Sequence, residues 1–286
     1  MNDISSHIKI LRVSHWVKNL LVFVPIITAH KFTNYKLFQS TLISLFCMSL
    51  VASAGYIFND IHDRESDKQN PLKKNKLIAN KKIRLKNAFF LCFLLLSLGI
   101  GISVEISKEL SFALLTYFAL VFFYSKYLKN IVVINILSLS IFYLLRIYIG
   151  CIACHVVLSF WLAMFSLLIF SSLATAKKFI QSSNSMYEIS GFHQKDEIFL
   201  LTLGISLSMT SVLTLGLYLN DMGTTSFYKR PQILWLLVPI LQILLSRVWL
   251  DCIRGKIIKD PIDYLMKSRF LLPTCVLFLI IYFLAV

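Results

Sequence analysis

The chain has 286 residues, of which 57% are apolar and only 15% are charged, and its mean hydropathy is +0.74. Soluble domains are nearer half apolar and a quarter charged, so this composition predicts an integral membrane protein with little room for a separate soluble domain. The net charge of +15 does not indicate nucleic acid as a partner. The basic residues cluster in short segments between apolar runs, which leaves no basic globular face for a duplex.

Apolar runs of roughly 20 residues predict transmembrane helices, and hence an all-α polytopic membrane protein with a single domain over residues 1–286. The first run lacks a small-residue cleavage site, so we expect it to remain as a helix. With the N-terminus in the cytoplasm, basic residues divide 23 to 5 between the inner and outer segments, which fixes the orientation. Nine spans are predicted, near residues 17–33, 38–60, 86–104, 109–126, 131–151, 157–177, 197–219, 231–250 and 268–286.

A polar face begins just before the first predicted span. Spacings of i, i+3, i+4 and i+7 place its members on one side of a helix. This side either faces a substrate or serves as an interfacial anchor, with Trp at headgroup depth and basic groups reaching the interface. The four residues are Arg12, His15, Trp16 and Asn19.

Four acidic or amide side chains crowd the end of the second predicted span: Asn59, Asp60, Asp63 and Asp67. At about 100° per residue the three aspartates share one helix face, where they repel one another and oppose the helix dipole unless a cation is bound. Mg²⁺ takes a few carboxylates and completes its shell with water and substrate phosphates. A solvated helix end is the alternative, but acids gathered in an otherwise apolar or basic chain favour a magnesium-diphosphate site.

Five lysines lie between residues 73 and 82, immediately after the aspartates. They suit anionic lipid headgroups or an anionic substrate. Their closeness to the carboxylates favours the substrate, because a diphosphate bridged to Mg²⁺ needs positive charge on its far oxygens. Lys73 and Lys76 are the candidates, and most of the others set the membrane topology.

Arg146 lies in a predicted span otherwise built of Ile, Leu, Phe and Tyr. A guanidinium there is costly unless it meets an anion or a wet cavity, so we expect a functional role, with snorkelling to the outer end as the alternative. Lys177 and Lys178 end the sixth predicted span. Adjacent lysines usually mark the inner boundary of a span, and only nearness to the same inner cavity makes them candidates.

Two further motifs are interpreted without a catalytic role. The outer turn from Cys151 to His155 matches the c-type haem attachment pattern, but it is too short to wrap a haem and no soluble domain could bury one. Asp260 and Pro261 are either a second acidic element or the start of a helix that leads into the last span, and we favour the helix start.

Together these features resemble the UbiA superfamily of intramembrane prenyltransferases, and within it the decaprenyl-phosphate phosphoribosyltransferase branch. Two departures concern the acidic motifs: Asn70 stands where that branch usually has His, and Asn135 stands where the superfamily carries a second-motif aspartate. The amide of Asn135 offers an oxygen but no charge. The resemblance rests on Leu11-Arg12, the run from Trp16 to Phe23, the aspartate element with Pro71 and Ile78-Ala79, Tyr124-Ser125, Leu128-Lys129, Leu145-Arg146 with Gly150, Lys177-Lys178 and Asp260-Pro261.

The resemblance implies a central cavity open to the cytoplasm, a bacterial inner-membrane location, and Mg²⁺ as cofactor, held by Asp60, Asp63 and Asp67 beside Asn59. It also implies partners: phosphoribosyl diphosphate, a polyprenyl phosphate or prenyl diphosphate lipid, and membrane lipids. Self-association is left open. The implied substrate-binding residues are Arg12, Lys18, Asn19, Lys73, Lys76, Tyr124, Lys129, Asn135, Arg146, Lys177 and Lys178.

Three functions follow from this interpretation. The first is phosphoribosyl transfer to a polyprenyl phosphate, favoured by the branch-specific first helix and by Lys177 and Lys178 as contacts for a second phosphate. The second is transfer of a prenyl group from its diphosphate to an aromatic or other small acceptor. The aspartates alone do not choose between these, because both reactions expel diphosphate. The third is a non-catalytic lipid-binding or transport protein, for which Asn135 is the motivating observation.

Overall fold

The computed structural model describes residues 9–70, 74–183, 192–221, 228–257, 260–269 and 271–286, most of which are helical. Short 3₁₀ segments cover Val13–Phe23, Leu128–Asn130, Gln194–Asp196 and Pro231–Leu236. The α-helices are α1 (Val24–Thr28), α2 (Tyr35–His62), α3 (Arg64–Gln69), α4 (Leu85–Val104), α5 (Lys108–Lys126), α6 (Ile134–Ala153), α7 (Phe160–Ser183), α8 (Glu197–Asn220), α9 (Leu237–Ile253), α10 (Pro261–Lys267) and α11 (Leu271–Ala285).

Seven helical stretches of the described chain are long and apolar enough to cross a membrane, which confirms an all-α polytopic membrane protein. They correspond to the second through eighth predicted spans. The first and ninth correspond to shorter apolar helices, Val13–Thr28 and Pro273–Ala285, so the count of nine is not confirmed. The first of these is mostly 3₁₀, which rises about 2.0 Å per residue, and its 16 residues therefore extend roughly 30 Å.

The start of α6 differs from the prediction by three residues. Val133 has φ 68°, in the left-handed region that a right-handed helix excludes, and the helix begins only at Ile134. At the C-terminal side, the helix expected to start at Asp260 and Pro261 is confirmed as α10. Asp260 caps it by accepting hydrogen bonds from the backbone N–H groups of Ile262 and Asp263.

The chain divides into two compact units, the first comprising Met1–Lys129 and Phe142–Leu158. In this unit α2 packs against α4, α5 and the Val13–Phe23 segment. Small residues let α4 and α5 approach α2 closely, as in many membrane bundles: a Cβ on Gly99 would lie 2.8 Å from a methyl of Val51, and one on Gly55 would lie 3.1 Å from Val121. This packing fixes the C-terminal end of α2, where the aspartates lie.

The second unit comprises Asn130–Ile141 and Ser159–Val286. Its α7 and α8 pack together closely, and α9 joins them at Trp249. The indole N–H of Trp249 donates to the Ser172 hydroxyl at 3.0 Å, and that hydroxyl donates to the Gly204 carbonyl at 2.8 Å. The single domain predicted over residues 1–286 stays a prediction.

Candidate active site

The aspartates lie where α2 ends and α3 begins. The C-cap Asp63 has φ −80° and ψ 2°, outside regular helix, yet the backbone bonds from Asp63 to Asn59 and from Asp67 to Asp63 continue with a spacing of four residues. Asp60 and Asp67 share one lysine partner, whereas Asp63 pairs with a different lysine. All three are buried, with 6%, 7% and 2% of their surface exposed.

Three basic side chains neutralise these carboxylates. Arg12 donates from Nη2 to both oxygens of Asp60 at 2.8 and 2.6 Å. Lys76 donates to Asp60 at 2.8 Å and to Asp67 at 2.6 Å, so one ammonium bridges two carboxylates. Lys129 donates to Asp63. Because isolated buried charges are strongly unfavourable, these pairings are what allow three acids to be enclosed together.

An amide and a hydroxyl orient the middle carboxylate. Asn59 Nδ2 donates to Asp63 Oδ2 at 3.0 Å, and the Ser125 hydroxyl donates to Asn59 Oδ1 at 3.0 Å. Since the amide oxygen is held by Ser125, the amide N–H is turned toward Asp63. Ser125 was part of the family resemblance but not a predicted site residue, because nothing in the sequence pairs it with Asn59, 66 positions earlier.

Lys76 remains a cation over the physiological pH range. Burial lowers the pKa of its ammonium, but the charges and hydrogen bonds of Asp60 and Asp67 outweigh burial, and the net pKa lies above its ordinary value. The group can therefore act as a permanent positive charge at this site.

The residues of the polar face predicted before the first span lie along α2. The backbone of Arg12 has φ 51°, a left-handed conformation that is unfavourable for a side-chain-bearing residue and is seen at constrained sites. All four side chains contact α2, although Arg12, His15 and Trp16 stay partly exposed. Its four contacts, turn by turn, are Arg12 to Asp60, His15 to Tyr56, Trp16 to Ser53 and Asn19 to Ser49.

Arg146 is enclosed within the first unit, with 3% of its surface exposed. Its Nε donates to Asn19 Oδ1 at 2.8 Å and its Nη2 donates to the Tyr117 hydroxyl at 2.9 Å. The guanidinium also lies over the rings of Tyr117 and Tyr143, with 5.2 and 5.3 Å to the centroids. Tyr117 was missed by the sequence reasoning, although a Tyr hydroxyl in an apolar helix is a plausible partner for a buried arginine.

Of the other predicted substrate contacts in the first unit, Lys18 is buried beside Asn19, with 8% exposed. Tyr124 is half-buried and its ring meets Phe142 edge-on at 5.5 Å. Lys73 lies outside the described residues.

In the second unit the predicted contacts have separate environments. Lys177 pairs with Asp260 at 3.1 Å, whereas the ammonium of Lys178 lies 5.9 Å from the centre of the Phe192 ring. Asn135 is fully buried. The adjacent lysines therefore face different neighbours.

A further buried acid of the second unit, Asp251, was not predicted. It accepts hydrogen bonds from Arg247 at 3.1 Å and from the Tyr264 hydroxyl at 3.0 Å. The four-residue spacing from Arg247 was the available signal in the sequence. This cluster ties α10 to α9.

The carboxylate donors suit Mg²⁺, which prefers oxygen ligands. The Lys76 ammonium already stands between Asp60 and Asp67, at the kind of position that a shared cation takes. Among the described residues no three His, Cys, Asp or Glu side chains are arranged to hold an ion as they stand. The aspartates thus fit Mg²⁺ by their chemistry, provided that the basic side chains paired with them move aside.

A helical membrane protein with buried carboxylates at the end of one helix is the class that this fold and site define. The chain belongs to the UbiA prenyltransferase family, whose family model matches residues 21–255. Family membership and the seven membrane-length helices together make it an integral membrane protein of this family.

Two relatives and one solved structure show where the similarity lies. The chain is 29% identical over 266 residues to the uncharacterized protein y4nM of Sinorhizobium fredii, covering 91% of this chain and 52% of that protein. It is 32% identical over 162 residues to the decaprenyl-phosphate phosphoribosyltransferase of Corynebacterium glutamicum, covering 54% of this chain and 48% of that enzyme. The chain thus spans about half the length of the curated relatives it matches.

A UbiA homologue from Archaeoglobus fulgidus, bound to DMAPP and Mg²⁺, has the same fold, with a TM-score of 0.71 over 97% of this chain and 96% of that chain. The sequences are 13% identical, so the likeness concerns the fold.

Proposed function

We propose that this protein transfers the phosphoribosyl group of phosphoribosyl diphosphate to the phosphate of a membrane polyprenyl phosphate and releases diphosphate. The reaction would use Mg²⁺ at the cytoplasmic face of a bacterial inner membrane. The observation that carries the proposal is the pair of buried carboxylates, Asp60 and Asp67, held by one ammonium at 2.8 and 2.6 Å. Two carboxylates that already share a cation suit a divalent metal, and basic groups beside them suit phosphate oxygens.

Each charged residue then has a role. Asp60, Asp63 and Asp67 would hold Mg²⁺, and the bound ion would offset the negative charge that develops on the departing diphosphate. Arg12 donates to Asp60 and Lys129 donates to Asp63. Both cations would donate to oxygens of the bound diphosphate. Arg12 is held there by the left-handed turn that precedes the Val13–Phe23 segment.

The bond changes balance without any further reactant. The bond between the ribose anomeric carbon and the diphosphate oxygen breaks, and both of its electrons leave with diphosphate. An oxygen of the acceptor phosphate then forms the new bond to that carbon. An acceptor that is already an anion needs no general base, so the chain has only to bind, orient and neutralise charge.

Arg146 acts in this proposal as a positioning residue. It donates hydrogen bonds to protein groups, among them Asn19, and Asn19 donates in turn to Ser49 on α2. Arg146 therefore fixes the depth of the segment that carries Arg12 and Lys18. Contacts of Tyr124, Asn135, Lys177 and Lys178 with substrate stay part of the proposal, and Lys177 would have to leave Asp260 to reach a phosphate.

Similarity to a decaprenyl-phosphate phosphoribosyltransferase supports the choice of donor and acceptor. A prenyl diphosphate donor with an aromatic or other small acceptor is the second candidate, because the structure of the A. fulgidus homologue holds DMAPP and Mg²⁺. Both donors lose the same leaving group, so the aspartate site accommodates either.

The deciding experiment compares two substrate pairs on one preparation. The purified chain in nanodiscs is given labelled phosphoribosyl diphosphate with polyprenyl phosphate, or a prenyl diphosphate with an aromatic acid, each with Mg²⁺. A lipid-linked ribose phosphate, formed together with an equal amount of diphosphate and suppressed by a chelator, is the expected result. Product from the second pair alone would reverse the order of the two candidates.

A further inference from the structure

Lys76 holds a position that a metal ion would also need. Its ammonium lies 2.8 Å from an oxygen of Asp60 and 2.6 Å from one of Asp67, while 26% of its side chain remains exposed. Asp60 and Asp67 are otherwise enclosed, with 8% and 3% of their side chains exposed. A cation shared by both carboxylates must take the place of this ammonium, since two cations at one point repel strongly.

We propose that Lys76 is a built-in counter-cation, which blocks Asp60 and Asp67 against metal alone and moves to a phosphate oxygen when metal and diphosphate bind together. This inference rests on the proposed function and deepens it, since it makes metal binding conditional on the diphosphate. The aspartates would then bind the metal ion only when the diphosphate is bound as well.

The charge count of the cluster supports this coupling. Three carboxylates face three cations, Arg12, Lys76 and Lys129, so the cluster is close to neutral. A divalent ion alone would leave a surplus of two positive charges in a largely buried site, which is unfavourable. A diphosphate ester carries roughly three negative charges, so a metal and diphosphate together restore near-neutrality and give the displaced ammonium a new partner.

The chain around Lys76 can release its side chain without unfolding. Ile78 and Ile83, which follow it, are buried in the same apolar cluster as Ile57 of α2. The segment is therefore fixed by apolar packing, and a flexible four-carbon stem can swing from a carboxylate to a phosphate. Arg12, by contrast, donates to both oxygens of Asp60, whereas Lys76 bridges Asp60 and Asp67.

The test measures metal binding rather than turnover. The full chain in nanodiscs of zwitterionic lipid is incubated with Mn²⁺, with and without inorganic diphosphate, and the metal retained with the discs after ultrafiltration is counted. For the wild type we expect Mn²⁺ to bind at least about tenfold more tightly when diphosphate is present. For Lys76→Gln, whose amide still donates hydrogen bonds but carries no charge, we expect binding of Mn²⁺ alone to tighten about tenfold and the effect of diphosphate to shrink.

Lys74→Gln is the matched control, because it removes an exposed charge from the same segment. Lys76→Arg keeps the charge and should keep binding of Mn²⁺ alone weak, which gives a second comparison should Lys76→Gln fail to fold. Equal Mn²⁺ binding by the wild type and Lys76→Gln without diphosphate, or equal tightening in Lys74→Gln, overturns the counter-cation while leaving the proposed function intact. No Mn²⁺ retained by the wild type even with diphosphate overturns the metal-diphosphate function itself, and this inference with it.

Discussion

Arg146 Nε donates a 2.8 Å hydrogen bond to Asn19 Oδ1, joining α6 to the Val13–Phe23 segment across 127 positions of sequence. Asn19 Nδ2 in turn donates a 3.0 Å hydrogen bond to the Ser49 hydroxyl of α2. The buried charge thus links three elements of the first unit. Arg146 therefore has a structural role in the first unit, whereas the sequence suggested a contact with an anion.

We therefore expect Arg146→Met to destabilise the protein by roughly 2–4 kcal/mol, because Asn19 and Tyr117 lose a buried partner. The measurement is the thermal unfolding midpoint of the detergent-purified chain. Ser14→Ala, which changes an exposed residue of the Val13–Phe23 segment, is the control. If Arg146→Met kept the wild-type midpoint and lost only turnover, Arg146 would be a substrate contact and not a positioning residue.

Gly150 is required by the same junction. A Cβ built on it would lie 2.1 Å from the carbonyl oxygen of Val22, a backbone atom that cannot rotate away. Gly150→Ala should force α6 and the first segment apart and destabilise the protein by about 2 kcal/mol or more.

Gly101→Ala is the matched control for Gly150→Ala, since a Cβ on Gly101 meets nothing within 4 Å. It should be neutral or slightly stabilising, by up to about 1 kcal/mol. Unfolding midpoints that fall equally in both variants would point to a general intolerance of added methyl groups instead of a close approach at Gly150.

Local patterns predicted much of this site, and the parts that depend on distant pairings were missed. The spacing of Asp60, Asp63 and Asp67 predicted one shared helix face, whereas the structure places Asp60 in α2, Asp63 at its C-cap and Asp67 in α3. Lys76 was close enough in sequence to be connected with them. Lys129 was a predicted substrate contact only through the family resemblance, and nothing in the sequence paired it with Asp63, 66 positions away. Hydrophobicity predicted seven spans well, yet it does not distinguish 3₁₀ from α-helix, and so the first span differed.

Asp63→Ala tests the metal assignment in the proposed function. Removing the middle carboxylate also removes the ion pair between Asp63 and Lys129, so we expect turnover to fall by roughly 10²–10³-fold or more while the protein still inserts. Turnover is read as diphosphate release, and insertion as recovery of a monodisperse peak in detergent. Glu65→Gln, which changes an exposed acid two positions further along the chain, should retain activity. Survival of activity in Asp63→Ala would show that the metal assignment is wrong.

Asn135→Asp tests whether the missing second-motif charge matters. Because residue 135 is fully buried, an added carboxylate should destabilise the protein without metal, and Mg²⁺ should recover stability if the carboxylate helps to bind it. We expect the wild type to be active and the variant to reach half-maximal activity at a lower Mg²⁺ concentration. Activity that appears only in the variant would mean that the natural chain is a non-catalytic lipid-binding or transport protein.

The pKa of Lys76 makes a prediction about alkaline stability. Burial lowers it, but Asp60 and Asp67 raise it further, so in the folded protein it exceeds its ordinary value of 10.5. The contribution of the charged Lys76 is therefore fully present below pH 10.5 and is lost as the pH rises through the higher folded pKa. A partly exposed ammonium limits this contribution to about 1 kcal/mol. The difference in unfolding midpoint between the wild type and Lys76→Gln should thus stay constant from pH 7 to 10 and shrink above pH 10.5, with Lys74→Gln showing no such change. A difference that instead vanished on acidification from pH 10 to 7 would contradict the direction of this shift.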